Sequence, residues 1–276
     1  MSYQLPGAGA PDAVTCRYGV SKLRFRGPCR DLAAPYLACI GGSETYGRFV
    51  SAPYPTLLEA RMGEACINLG SVNSGLDALL HDPELSRIAI GAEACILQLP
   101  AAHNLSNRLY RVHPRRNDRF LQASPMLEQL YSEVDFTDFH FNKHMLGRLH
   151  AVSPERFETV QAELQQAWSA RMRSLIEAFG GRVVLLWLRY MHMRPDDPAE
   201  ALGTEPLMVT PEMVAALAPT SLSTVEVRVQ MAGQSDELDD MIFGMLQEPA
   251  AEHMIGPATH RLIADRLFRA LQDLET

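Results

Sequence analysis

The chain alternates between short blocks that are almost wholly apolar and longer blocks whose apolar positions recur every three or four residues. The short blocks are residues 36–41 (YLACIG), 64–70 (EACINLG), 93–99 (EACILQL), 182–188 (RVVLLWL) and 223–229 (STVEVRV). Near-continuous apolar runs of this length predict strands covered on both faces, as in a parallel sheet clothed by helices. The longer blocks predict helices. Residues 54–63 (YPTLLEARMG) set Leu57, Leu58 and Met62 on one face and stop at Gly63. Residues 74–82 (SGLDALLHD) and 211–217 (PEMVAAL) give two short helices. From Pro154 to about Phe179, Phe157, Val160, Leu164, Trp168, Met172, Leu175 and Ile176 form one apolar stripe. Gly180 and Gly181 end that helix, and a last helix runs from Pro257 to Leu274.

Strand and helix in alternation predict an α/β fold: a three-layer sandwich on a five-stranded parallel sheet, flavodoxin-like in order. Ligands of such sheets bind at the carboxyl ends of the strands. The loops after the first three strands, at Gly41-Gly42-Ser43, Gly70-Ser71 and Pro100 to Asn104, should meet there in one crevice. Residues 1–35 stand apart, with 1–14 a loose Gly/Pro/Ala-rich tail and 15–35 an extended arm packed on the core. Residues 36–276 read as a single domain. It is interrupted at about 100–150 by a polar, basic and aromatic insertion without a clear period. The Met-rich stretch 189–195 (RYMHMRP) reads as lining for the core and for the mouth of the fourth strand.

Composition narrows the functions. With 47% apolar and 21% charged residues, the chain reads as an ordinary soluble domain. Its formal charge of −8 argues against a nucleic-acid partner. No leader pattern is present at the start, and no run approaches the roughly 20 apolar residues of a membrane span. The cytoplasm is the expected location. The five cysteines include no C-x-x-C pair, so neither a disulfide framework nor a metal site is expected. Cys39, Cys66 and Cys95 lie in apolar runs and read as buried thiols.

The stretch IGGSETYG drives a strand into two glycines and a serine. Ser43 is either the cap of the following helix or a displayed nucleophile. IGGSETYG resembles the first block of the SGNH/GDSL hydrolases, in which a strand ends in Gly-Asp-Ser and the serine attacks. YPTLLEARMGEACINLGSVNSG is similar to the next stretch of that family, and HRLIADRLFRAL to its closing helix. The resemblance covers residues 36–100 and 155–274. It implies an SGNH-like fold and a serine esterase or deacylase acting without metal or organic cofactor on an ester of a small or carbohydrate-type molecule. It also implies roles. Ser43 would be the nucleophile. Its N–H, Gly42, Gly70 and the Asn104 side chain would hold the oxyanion and substrate. His253, one residue from the family position, would be the base, with His260 the second candidate. The chain departs from the family at Gly42, where Asp is usual, and at LPAAHNLSN, where Gly-x-Asn-Asp is usual. It departs again at Ala250, three residues before His253, where Glu248 and Glu252 are the nearby substitutes for Asp.

One further cluster is independent of the resemblance. NRLYRVHPRRNDRF gathers Arg108, Arg111, Arg115, Arg116 and Arg119. Guanidinium forks suit phosphate, sulfate or carboxylate, so an anionic handle on the substrate is expected at the crevice. The same cluster leaves open an acyl- or sulfo-transferase, or an inactive anion- or carbohydrate-binding protein. The plain alternative is a solvated surface paired with Asp118, Glu128 and Glu133. His140 and His144 are four apart but lack the H-E-x-x-H glutamate of a zinc helix.

Overall fold

The five apolar blocks form one sheet. In the computed structural model, which describes residues 15–191 and 202–275, they are β3 (Tyr36–Gly41), β4 (Ala65–Gly70), β5 (Ala94–Gln98), β8 (Val183–Tyr190) and β9 (Ser223–Val229). All neighbours are parallel, in the order β4-β3-β5-β8-β9. The chain therefore steps from β3 outward to β4, then crosses back to β5 on the other side of β3. The carboxyl ends of β3 and β5 flank that reversal, where a crevice opens.

Side chains alternate across the sheet and build two cores. Ala38, Ile40, Ile67, Leu69, Cys95 and Leu97 face one side. There they meet α3 (Leu76–Leu80), α4 (Pro83–Gly91) and α7 (Pro154–Ala178). Leu37, Cys39, Cys66, Ile96, Val184 and Leu186 face the other side, against α2 (Tyr54–Met62) and α10 (Pro257–Glu275). This is the three-layer α/β sandwich. The outermost strand differs from its neighbours. Val225, Val227 and Val229 are buried while Thr224, Glu226 and Arg228 are exposed, so β9 is clothed on one face only.

The insertion holds a hairpin, β6 (Tyr110–Val112) with β7 (Phe120–Ala123), then α5 (Pro125–Leu130) and α6 (Asn142–Val152). The remaining helices are α1 (Ser43–Tyr46), α8 (Pro211–Ala215) and α9 (Glu248–Ala251). α4 has no counterpart in the apolar pattern. Asp82 caps it, accepting from the N–H groups of Glu84 and Leu85, and Pro83 opens its first turn. No described helix is long and apolar enough to cross a membrane. The tail at 1–14 and residues 192–195 of the Met-rich stretch lie outside the described residues.

The arm corrects the reading of the cysteines. β1 (Thr15–Cys16) pairs antiparallel with β2 (Phe25–Arg26). Cys16 and Cys29 are joined by a disulfide across a separation of 13 residues. The arm folds back on itself, and that pairing, invisible to spacing rules, brings the two thiols together. Cys39, Cys66 and Cys95 are free and buried, as the apolar runs predict.

Candidate active site

The ends of β3 and β4 under α1 leave no room for a side chain at Gly41 or Gly70. A Cβ on Gly41 would lie 2.2 Å from Thr45 Oγ1 and 2.5 Å from Gln98 Oε1. A Cβ on Gly70 would lie 2.1 Å from the Tyr46 nitrogen, because α1 rests directly on the end of β4. Gln98, the last residue of β5, organises the turn. Its Oε1 accepts from Gly42 N (3.2 Å), Thr45 N (3.2 Å) and Thr45 Oγ1 (2.6 Å). Its Nε2 donates to Glu44 Oε2 at 2.8 Å, and the Tyr190 hydroxyl donates to Glu44 Oε1 at 3.2 Å. Burial first, and then the charge of Glu44, pushes the Tyr190 hydroxyl well above the usual phenol range. That proton stays on the oxygen, so the bond to Glu44 persists.

Ser43 is not the cap of α1. Gly42 occupies the N-cap with no side-chain bond, and Ser43 is the first helical residue. Its Oγ accepts from the backbone N–H of Asn73 at 3.2 Å. Asn73 has φ 58°, a left-handed conformation that asparagine tolerates better than most residues. The N–H of Ser43 falls in the first turn, where helix donors have no intrahelical acceptor.

The two late histidines part company. His260 is 1% exposed. Its Nδ1 accepts from Tyr54 N at 3.1 Å, so its proton sits on Nε2, which is buried without a partner. Burial, and secondarily the charge of Arg26, holds its pKa down to about 3. It is part of the packing between α2 and α10 and does not reach the crevice, which removes it as a base. His253 is exposed and lines the same cleft as Ser43. Its Nδ1 lies 2.7 Å from the carbonyl oxygen of Pro249. A carbonyl only accepts, so Nδ1 carries the hydrogen and Nε2 keeps its lone pair. The imidazole is thus oriented by a main-chain carbonyl. Glu248 and Glu252 do not line the cleft. Their main chains bond to each other, Glu252 N to Glu248 O at 2.9 Å, within the turn that carries His253.

The cleft measures about 300 Å³. Gly42, Ser43, Asn73, Asn104 and His253 border it, with Leu79, Pro100, Leu188, Met231 and Met254 as apolar wall. Three loops meet there as the strand order predicts. Gly70, however, is not in the lining, and its N–H already donates to Asn68 Oδ1 at 2.9 Å. The N–H that faces Ser43 Oγ belongs to Asn73 instead. Gly42 borders the cleft, but its N–H is spent on Gln98. Asn104 borders the cleft. Its Oδ1 accepts from Asn142 Nδ2 at 3.1 Å, and among the described residues its own Nδ2 makes no hydrogen bond.

No arginine of the basic cluster lines the cleft. Arg108 forks onto Glu163 through Nε (2.7 Å) and Nη2. Arg116 pairs with Asp118 at 3.3 Å, and Arg119 lies over the Phe141 ring. Arg111 and Arg115 point to solvent. The expected anion pocket is therefore not assembled at the crevice, because the hairpin turns these side chains outward. The cation bordering the cleft is Lys143, 3.9 Å from Glu205.

The fold and site define an α/β protein with a serine hydroxyl and an imidazole at the reversal point of a parallel sheet. The chain belongs to the family described as a domain of unknown function, DUF6473, whose model matches residues 1–275. No curated protein matches it. Among solved structures, it is similar to the lipase Lip_vut3 from a goat rumen metagenome. The identity is 11% and the TM-score 0.43, over 86% of this chain and 97% of that one. It is also similar to a catalytic mutant of Axe2, an acetylxylan esterase from Geobacillus stearothermophilus, at 14% identity and TM-score 0.42 over 88% and 94%. A third is the lipase/acylhydrolase from Enterococcus faecalis, at 14% identity and TM-score 0.37 over 84% and 97%. The α/β class rests on the sheet itself.

Proposed function

We propose that this cleft is the active site of an SGNH-like serine esterase or acyl hydrolase, with Ser43 as nucleophile and His253 as general base. The observation that carries the reading is the pairing of two states in one cleft. One is a serine hydroxyl freed from capping duty by Gly42. The other is an imidazole whose tautomer is fixed by Pro249 so that Nε2 is the basic nitrogen. A serine hydroxyl is a weak nucleophile until a base takes its proton. In the reaction, Ser43 Oγ bonds to the ester carbonyl carbon and its proton passes to His253 Nε2. The carbonyl π electrons move onto oxygen. The N–H groups of Asn73 and Ser43 and the Asn104 amide supply donors for that oxyanion. His253 then protonates the departing alcohol; water, deprotonated by the same nitrogen, adds to the acyl carbon, the Ser43 Oγ–carbon bond breaks to free the acid, and the proton returns from His253 to Ser43 Oγ. No metal or organic cofactor takes part in these steps. The arginine cluster has no part in this reading, and the substrate is an ester of a small or carbohydrate-type molecule.

The test is turnover of short-chain p-nitrophenyl esters together with labelling by a fluorophosphonate. Wild type should do both, Ser43→Ala neither, and His253→Ala should lose about 10²–10⁴ in kcat. A wild-type protein that neither labels nor turns over any ester would end the proposal.

A further inference from the structure

We infer that Asn117, which lies in the insertion and does not touch the cleft, is a positioning residue for the serine site. It sets the Asn73 N–H against Ser43 Oγ. This inference rests on the esterase reading for its catalytic meaning, while its structural half stands on hydrogen bonds.

Asn117 is 0% exposed. Its N–H donates to the Asn73 carbonyl at 3.1 Å. Its Oδ1 accepts from Gly75 N at 2.9 Å and from Ala78 N at 3.0 Å, at the start of α3. Three of its bonds therefore land on residues 73–78, the loop that follows β4. Its remaining bonds run into its own segment. Nδ2 donates to the His113 carbonyl at 2.9 Å, and its carbonyl accepts from Asn142 Nδ2. Asn73 is thus held from both ends of one peptide-bonded residue, its carbonyl by Asn117 and its N–H against Ser43 Oγ. Between those two bonds it keeps the left-handed φ of 58°, which costs energy unless the surroundings enforce it. The contact is close. A Cβ on Gly75 would lie 2.6 Å from the Asn104 carbonyl oxygen and 3.0 Å from Asn117 Cβ.

This gives the arginine-rich stretch a purpose other than anion binding. His113 Nδ1 accepts from the N–H groups of Arg115 and Arg116, at 3.3 and 3.1 Å. Those bonds shape the turn that delivers Asn117. Oxyanion donors help because they are fixed before charge develops. Releasing Asn73 should therefore weaken the transition state more than the bound substrate.

The experiment compares wild type, Asn117→Ala, Asn117→Asp and Glu163→Gln. It measures kcat and KM on a short p-nitrophenyl ester, the thermal midpoint, and amide hydrogen exchange at Asn73. Asn117→Ala keeps the main-chain bond to the Asn73 carbonyl but releases Gly75 and Ala78; by loosening the segment that carries Asn73 it should lower kcat by about tenfold to about 10²-fold with KM nearly unchanged, and should speed exchange at Asn73. Asn117→Asp keeps the oxygen that accepts from Gly75 and Ala78 but turns its other oxygen onto the His113 carbonyl, so its kcat should be no higher than midway between Asn117→Ala and wild type. Glu163→Gln breaks the Arg108 pair elsewhere in the insertion and should lower the midpoint while leaving kcat alone. An unchanged kcat in Asn117→Ala overturns the inference. So does loss of kcat in Glu163→Gln in proportion to its loss of midpoint. If wild type turns over no ester, the esterase reading fails, and exchange at Asn73 still decides the clamp: equal rates in wild type and Asn117→Ala overturn it.

Discussion

The amino-terminal arm and the insertion both leave the sheet and both return to the loops around Ser43, by opposite chemistry. The arm uses a cation. The guanidinium of Arg26 donates to the carbonyls of Gly47, Val50 (2.9 Å) and Ser51 (3.1 Å), just past the end of α1. These carbonyls lie in the loop beyond the helix and bunch acceptors alone at one place, so a planar fork of N–H groups suits them. Burial lowers the pKa of Arg26 from its ordinary value. The insertion uses a neutral amide: Asn117 Oδ1 accepts from the N–H groups of Gly75 and Ala78 while its Nδ2 donates to the His113 carbonyl, which takes a group that both donates and accepts. A charge serves where one kind of backbone group is bunched, and an amide where both kinds converge.

The largest expected effect separates the two regions by acid. His103, in the insertion, and His260, beside the arm, both have pKa values held down to about 3. Burial is the first cause in each. The Lys143 charge adds to it at His103, against Asp118, and the Arg26 charge adds to it at His260. Their unfolded values are about 6.5, so below that pH the unfolded chain binds protons that the folded chain refuses. Folding stability is complete above about pH 6.5 and is lost progressively toward about pH 3, by an amount on the order of several kcal/mol. Urea midpoints from pH 7 to pH 4 should fall steeply, and less so in His260→Gln. A flat profile in wild type would mean that neither imidazole is buried as described.

Next in size is the staple of the arm. Replacing Cys16 and Cys29 by Ser should cost about 2–3 kcal/mol for a loop of this length, read by urea unfolding, without changing the Asn73 contact. Thiol titration of denatured protein counts three free groups with the bond and five without it. Because disulfides persist in oxidising surroundings, that count on protein taken from its native cells tests the cytoplasmic expectation.

The smallest effect isolates Arg26. Arg26→Ala should cost about 1–3 kcal/mol by stranding carbonyls that are partly buried. Arg26→Lys should restore little, since an ammonium cannot span the same set. Full recovery with Lys would show that charge alone, and not the fork, is what the arm supplies.

The sheet was legible because buried strands must carry near-continuous apolar runs. Ser43 was legible because an apolar strand runs straight into two glycines before it, the first of which, Gly41, cannot be replaced where the turn crowds Thr45 and Gln98. α4 went unread although Asp82-Pro83 is a start signal, because those residues also look like the end of the helix before. The hairpin of β6 and β7 went unread because its strands are short and their middle residues are exposed. The N–H beside Ser43 Oγ is that of Asn73 and not of Gly70, and the partner of His253 is a carbonyl and not a glutamate, for one reason. Main-chain groups do the bonding at both places, and every residue has them, so no letter marks which is used. Asn117 belongs to the same class. Its partners are up to 44 positions away from it, and no periodicity reports them.

β9 ends the sheet, and among the described residues it pairs with β8 alone; an edge of this kind is the usual template for strand addition. Glu226 and Arg228 stand exposed on its outer face, and Arg189 of β8 is bonded to Glu226 at 2.9 Å. A second molecule adding itself to this border would have to strip water from those charges. The polar half of STVEVRV thus stands as a guard on the open face of a strand that is dressed on one side only.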